Sequence, residues 1–225
     1  MLVARTKPAE PDIKRTGVRY VLRLLTVADV PQVMDIERES FPSMWPQTAY
    51  SRELKNRLAR YLVLVEEGDE GESKPAASLL RRAMRWLLRA KDEPPPTRRL
   101  IIGLVGVWLM VDQAHVVTIA VREAFRQQGA GGLLLLAGME VAFAENMESV
   151  TLEYRRDNEA ARALYEKFGF LSVGVRPRYY TDTNEDAVIM TTPPLKSKSY
   201  REKYERLRTE HLDRWHDQCV LPDSF

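Results

Sequence analysis

Cysteine is almost missing from this sequence: Cys219 is the only one in 225 residues. A lone thiol closes no internal disulfide and has no cysteine neighbour with which to build a metal site, so a reducing compartment fits best. Histidine is nearly as scarce, with three residues at no ligand-like spacing, and no metal is expected. No uninterrupted apolar run approaches the ~20 residues that span a bilayer. Met1 to Pro11 is polar and lacks the apolar centre of a secretion signal. The expectation is a water-soluble, cytoplasmic protein without a transmembrane segment. An excess of either charge is also lacking: 34 basic residues face 32 acidic ones for a net of +2. Bulk charge therefore gives no reason to expect a specific nucleic-acid partner. There is no internal repeat.

What is present describes a folded chain. A composition of 44% hydrophobic and 29% charged residues is ordinary for a globular protein. The length suits one buried core with appendages. After a polar tail (1–17), β-branched and aliphatic residues predict a strand over Val18 to Leu25. Thr26 suits an N-cap, and Val30, Val33, Met34 and Ile36 fall at helical spacing in a helix predicted to reach Ser40. A loop containing Phe41, Pro42 and Trp45 leads to a short helix from Pro46 to Lys55. Strands are predicted at Tyr61 to Glu66, Leu100 to Val111 and His115 to Val121, the last two forming a hairpin. Then come a helix from Gly129 to Glu145, a strand at Val150 to Tyr154, a helix from Glu159 to Phe168, and strands at Phe170 to Val175 and Ala187 to Thr191. The class is mixed α/β (α+β), with one domain at 18–195.

Two segments stand outside this alternation. At about 67–98 an acidic stretch, a basic amphipathic stretch (Pro75 to Ala90) and Pro94-Pro95-Pro96 form an insertion. Its apolar face either packs on the domain or meets an anionic surface. At 196–225, Tyr200, Tyr204, Leu207, His211 and Trp215 recur every three or four residues, so a charged helical extension carries one aromatic stripe. That stripe docks either on its own domain or on a second copy in a homodimer.

The segment that carries most chemistry follows the strand end Ile119-Ala120-Val121. It reads Arg126-Gln127-Gln128-Gly129-Ala130-Gly131-Gly132 and opens an apolar helix. Glycines at a strand-to-helix junction let backbone N–H groups converge on an anion, and the helix adds the positive end of its dipole. A flexible turn is the plainer reading of the same residues. The segment has neither the Gly-Lys-Ser/Thr ending of a nucleoside triphosphate loop nor the dinucleotide glycine fingerprint.

Arg-x-x-Gly-x-Gly in this position resembles the coenzyme loop of the GNAT acetyltransferase superfamily. Further along, Leu152-Glu153-Tyr154-Arg155, Asn158-Glu159-Ala160-Ala161 and Ala163-Leu164-Tyr165-Glu166-Lys167-Phe168-Gly169-Phe170 follow in the family's order. Together they resemble the bacterial ribosomal-protein-alanine N-acetyltransferases and archaeal N-terminal acetyltransferases. The resemblance implies a GNAT fold, a mixed and mostly antiparallel sheet whose fourth and fifth strands splay, with helices on both faces. It also implies acetyl-CoA as donor and an amine as acceptor: the N-terminus of a protein, such as a ribosomal protein, or a small-molecule amine. A non-catalytic coenzyme-binding sensor or assembly module is the remaining alternative.

By the same resemblance, Ile119 to Val121, Arg126 to Gly132, Asn158 and Tyr165 touch the coenzyme. Glu153 is expected as general base, the more so if burial raises its pKa, and Tyr165 as general acid. Phe41, Trp45, Tyr179 and Tyr180 are expected to wall the acceptor site, and His115 to hold a water near the amine. Each residue also has a structural reading. Glu153 suits an arginine-paired strand position, Tyr165 a core aromatic, Asn158 an N-cap, and Gly169 a helix C-cap with positive φ.

Overall fold

The computed structural model describes residues 18–41, 48–68, 99–215 and 219–220. The tail, nearly all of the insertion with its basic stretch, and Pro42 to Trp45 of the aromatic loop lie outside the described residues. In chain order, β1 (Val18–Leu24) leads through a 3-10 turn (Val27–Asp29) to α1 (Val30–Ser40), α2 (Tyr50–Glu53), β2 (Ala59–Gly68), β3 (Arg99–Leu109) and β4 (Gln113–Val121). A second 3-10 turn (Glu123–Phe125) precedes α3 (Ala130–Ala144) and β5 (Ser149–Arg155). The chain continues through α4 (Glu159–Lys167), β6 (Leu171–Tyr180), β7 (Glu185–Thr191), α5 (Lys198–Trp215) and the two-residue β8 (Cys219–Val220).

The helix expected from Val27 starts as a 3-10 turn because Asp29 folds back on Thr26, accepting from its N–H at 2.8 Å and its hydroxyl at 2.7 Å. Arg23 then holds the same carboxylate with two further bonds, at 2.6 and 2.8 Å. Asn158 caps α4 by accepting from the N–H of Ala161 at 3.0 Å, and Gly169 closes that helix with a φ of +86°.

The strands form one sheet in the order β6-β7-β5-β4-β3-β2-β1-β8. Every pairing is antiparallel except β4 with β5 and β1 with β8. Two cores follow from its two faces. One gathers Tyr20, Leu22, Leu62, Val105 and Val116 under α3, α4 and α5; the other puts Tyr61, Val63, Leu104 and Ala120 under α1 and α2. α3 is apolar nearly all round, as expected for a helix sandwiched between a sheet and another helix. Its one carboxylate, Glu140, accepts from Tyr204 Oη at 3.0 Å and Arg208 Nε at 2.6 Å, both on α5. The predicted stripe of α5 is buried against its own domain, and β8 adds a parallel strand beside β1 where a helical extension was expected. Among the described residues no helix is long and apolar enough to cross a membrane.

One irregularity shapes the middle of the sheet. Gly106 pairs with Thr118 while the next residue, Val107, pairs with Val116, so Val117 is an extra residue in β4. The bulge flips the strand's alternation: Ala114 and Val116 belong to the first core, but beyond it Ala120 belongs to the second and Ile119 packs against the first. It also coincides with the end of pairing to β5, which runs only from Gln113↔Ser149 to Val116↔Leu152. Beyond that point β4 and β5 diverge, and a crevice opens between them.

Gly106 sits at the bulge because the Tyr61 ring crosses the space a side chain would need, with Thr118 Cγ2 only 3.0 Å away as well. Overpacking a closed site of this kind costs about 1–3 kcal/mol. Gly106→Ala should lower unfolding stability by that amount in urea titrations, and an unchanged midpoint would contradict the close approach.

Candidate active site

Where β4 and β5 part, the residues on either side are His115 and Glu153. β5 remains paired to β7 through Glu153↔Ile189, so its carboxylate is fixed on one prong of the fork while the imidazole of His115 stands on the other. His115 Nε2 lies 3.1 Å from Glu153 Oε2, and Arg176 Nη2 on β6 lies 3.1 Å from Glu153 Oε1. Both carboxylate oxygens are therefore engaged, and the Glu153 side chain is only 8% exposed. The hydrogen bond from His115 lowers its pKa most; burial pushes the other way, and the charges of His115 and Arg176 add to the lowering. The expectation that burial would raise Glu153 is thus corrected: a charge-assisted partner from the adjacent strand outweighs desolvation.

A cavity of about 350 Å³ opens at this fork, and its wall includes Glu153, His115, Tyr165, Asn158 and Ile119. Tyr165 is buried, and burial first, then the neighbouring Tyr180 and Tyr154, pushes its phenol well above the ordinary value. It stays protonated across the neutral range. Its ring stands edge-on to Tyr154 at 5.7 Å and tilted against Phe170 at 5.9 Å, so its position is fixed by aromatic packing.

Phe41, Tyr179 and Tyr180 border the same cavity. The two tyrosines reach it because β6 carries a second irregularity: Arg176 pairs with Ala187, but Tyr180 already pairs with Glu185. In the resulting bulge Arg178 adopts a φ of +52°, and its N–H is held by Asp186 Oδ1 at 2.9 Å. Arg155 ties the hairpin beyond it to β5, meeting Asp182 at 2.7 and 2.9 Å, Glu185 at 2.7 Å and the Tyr180 ring face at 4.1 Å. Trp45 lies outside the described residues.

The residues expected to hold the coenzyme diphosphate, Arg126 to Gly132, lead into α3 and are not among those that line the cavity at the fork. Gln127 and Gly129 are both left-handed, with φ of +58° and +94°, so the chain coils tightly before Ala130 starts the helix. Ala130 and Gly132 are buried; Gln128, Gly129 and Gly131 are half-buried. On β4, Val121 is half-buried, while Ala120 turns into the second core, away from the first. The Arg126 side chain does not turn toward the glycines. Its Nε donates to Val121 O at 3.0 Å and its Nη2 to Ser40 Oγ at 3.2 Å, bracing the loop against the end of α1.

Several residues of this site went unrecognised in the sequence. Trp108 lies in an apolar predicted strand that did not single it out, and it is 41% exposed on the cavity rim opposite His115, its indole N–H donating to Glu53 Oε2 at 2.7 Å. Glu37 is a buried carboxylate in the same wall, where Thr48 Oγ1 donates to it at 2.5 Å. Arg176 could have been found only by knowing that β6 lies across β7 from Glu153. A larger cleft, about 820 Å³, lies on the α4 and α5 side of β5, β7 and β6 and contains none of the residues assigned chemistry from the sequence.

A sheet forked between parallel strands, with a glycine-rich turn into a helix beside the fork, defines a class. The acetyltransferase (GNAT) family matches residues 30–170, and the chain belongs to it. It is an acetyl-CoA-dependent N-acetyltransferase. It is 32% identical over 181 residues to an N-alpha-acetyltransferase of Sulfurisphaera tokodaii, covering 80% of this chain and 96% of that one. The fold is similar to that of the ribosomal-protein-S18-alanine N-acetyltransferase of Escherichia coli, with a TM-score of 0.55 at 23% identity over 78% of this chain and 94% of the other. It is equally similar to a chimeric spermidine N-acetyltransferase from Vibrio cholerae, with a TM-score of 0.57 at 16% identity over 83% and 98%.

The Glu153 pair makes a pH-dependent prediction. A carboxyl whose folded pKa lies below its unfolded value adds stability that is whole above the ordinary carboxylate range and is lost as pH falls through the lower, folded value. His115→Ala removes the largest lowering influence. The pH-dependent part of its stability deficit should be present at neutral pH and shrink in acid, and side-chain carboxyl NMR should show Glu153 titrating higher than in wild type. Identical titration in both proteins would contradict the pairing.

Proposed function

We propose that this enzyme acetylates the α-amino group of a protein N-terminus by direct attack on the acetyl thioester. The observation that carries the reading is the convergence of an ion-paired carboxylate, an imidazole and a buried phenol on one cavity at the strand fork. The relative from Sulfurisphaera tokodaii, an N-alpha-acetyltransferase by name, supports the same acceptor. So do the aromatic rings at the mouth, which offer flat apolar walls for a short extended peptide. The spermidine enzyme shares the fold at too low an identity to argue for a polyamine acceptor.

The chemistry needs two proton movements. An α-ammonium with a pKa near ~8 must lose a proton before its nitrogen can attack, and the departing thiolate must gain one. Glu153, held anionic by His115 and Arg176, attracts the ammonium. Glu153 is held below its ordinary pKa, first by the hydrogen bond from His115, so it remains a carboxylate at neutral pH. The proton passes to the Glu153–His115 pair, directly or through one water. Nitrogen attack on the thioester carbonyl forms the C–N bond, and collapse of the tetrahedral adduct breaks the C–S bond. Tyr165 donates its phenolic proton to the leaving sulfur and regains one from solvent.

In this reading the diphosphate of the donor sits on the main-chain N–H groups of Gln127 to Gly132, with Asn158 alongside the pantetheine arm and Ile119 along the crevice wall. Holding both reactants in the fork supplies much of the rate. Tyr165→Phe should lower kcat by about a hundredfold, and His115→Ala and Glu153→Gln should each cost a similar factor in kcat/KM with an Ala-initiated peptide. Unchanged rates in all three variants would remove these roles. Faster turnover of spermidine than of any peptide N-terminus would overturn the acceptor assignment.

A further inference from the structure

The side chains that meet at the fork belong to a longer row. Val107 and Leu109 on β3, Ala114 and Val116 on β4, and Leu152 and Tyr154 on β5 all belong to the first core. The residue between each pair, Trp108, His115 or Glu153, therefore points to the opposite face, the one that carries α1 and α2. Trp108 pairs with His115, whose Nε2 lies 3.1 Å from Glu153. Arg176 meets the other Glu153 oxygen at 3.1 Å, and its guanidinium lies 5.5 Å from the centre of the Tyr179 ring. The row ends on an exposed aromatic at each side, Trp108 at 41% and Tyr179 at 39%. Both border the cavity that holds His115 and Glu153.

From Ile101 to Leu109, every residue of β3 is buried except Trp108. Its indole is nonetheless fixed. Nε1 donates to Glu53 Oε2 on α2 at 2.7 Å, and Tyr61 Oη donates to the same oxygen at 3.1 Å. With its only polar atom spent on Glu53, the indole offers the cavity an apolar ring already held in one orientation, so a ligand that covers it gains contact area at little entropic cost. We propose that Trp108 is an acceptor-binding residue: its ring packs on the acceptor peptide beyond the first residue and favours peptide N-termini over short amines, and Glu53 is the positioning residue that aims it. The α-amine has to meet Glu153 and His115. β3 lies two strands from β5, roughly 10 Å at ~4.8 Å per strand, and an extended chain rising ~3.3 Å per residue covers that in about three residues. A single amino acid bound at the fork falls short of the ring, and a peptide reaches it.

The inference rests on the N-terminal acceptor reading, and the test separates the two. With the full chain and saturating acetyl-CoA, KM and kcat are measured for alanine amide and for Ala-initiated peptides of two, three and five residues. In wild type KM should fall as the acceptor lengthens. If it does not, the acceptor is not gripped as a peptide, and the reading and the assignment of Trp108 fail together. Trp108→Ala should raise KM for the pentapeptide by about tenfold relative to KM for alanine amide, the size of loss that marks a contact residue. Trp108→Phe should recover most of that ratio. Glu53→Gln, whose amide oxygen still accepts from the indole, should stay closer to wild type than Glu53→Ala. Should the alanine variant at 108 fail to fold, Trp108→Leu keeps an apolar side chain in the strand and reads the same ratio. A ratio equal to that of wild type in either of these Trp108 variants, with peptides still preferred, overturns the assignment of Trp108 and leaves the acceptor reading standing. So does a loss as large for alanine amide as for the pentapeptide, which would mean that the ring only shapes the fork.

Discussion

The site depends on a single extra residue in the sheet. Val117 slips β4 by one position against β3, and within that same turn of the pleat β4 stops pairing with β5. A continuous parallel pair would seal the backbone groups of both strands in a ladder and leave no room for a ligand. Release after four paired residues leaves a crevice that is rigid on both sides, because β3 still holds β4 and β7 still holds β5. The bulge is stabilised by packing from elsewhere, since the bare backbone of Gly106 admits the Tyr61 ring beside it.

Other features make sense in relation to this fork. The His115–Glu153 contact spans its base, where the strands are close enough for two side chains to meet at 3.1 Å. α4 crosses it with Tyr165, fixed at one end by the Asn158 cap and at the other by Gly169 and Tyr200. The part of the cavity wall formed by Tyr179 and Tyr180 depends on a second slip, in β6, pinned by Asp186 and Arg155. Both irregularities bring side chains to the cavity wall and are held in place by neighbouring residues.

Much of this was legible in the sequence because the signals were local. Apolar periodicity gave the order of strands and helices, Asn158 and Gly169 marked the two ends of α4, and the five-residue stripe of α5 was read in full. What could not be read depends on contacts between distant segments. Nothing in Val116-Val117-Thr118 announces a bulge, since three β-branched residues read as an unbroken strand. Nothing in the predicted strand singled out Trp108, and its exposure follows from which strand pairs opposite. Arg126 fitted the family's pattern by position, but its side chain is drawn back to the Val121 carbonyl and to α1. The direction of the Glu153 shift was misjudged for the same reason: the partner that decides it sits on a parallel strand 38 positions earlier in the numbering.

The central claim is that the open part of the fork, from Val117 to Val121, and the turn at Gln127 to Gly132 together form the donor site. Hydrogen–deuterium exchange with and without CoA tests it most directly, because it reads backbone amides and needs neither an acceptor nor a variant. Slowed exchange concentrated in those two segments is the expected result. Protection that leaves both unchanged and falls instead on the cleft between α4, α5 and β6 would contradict the account.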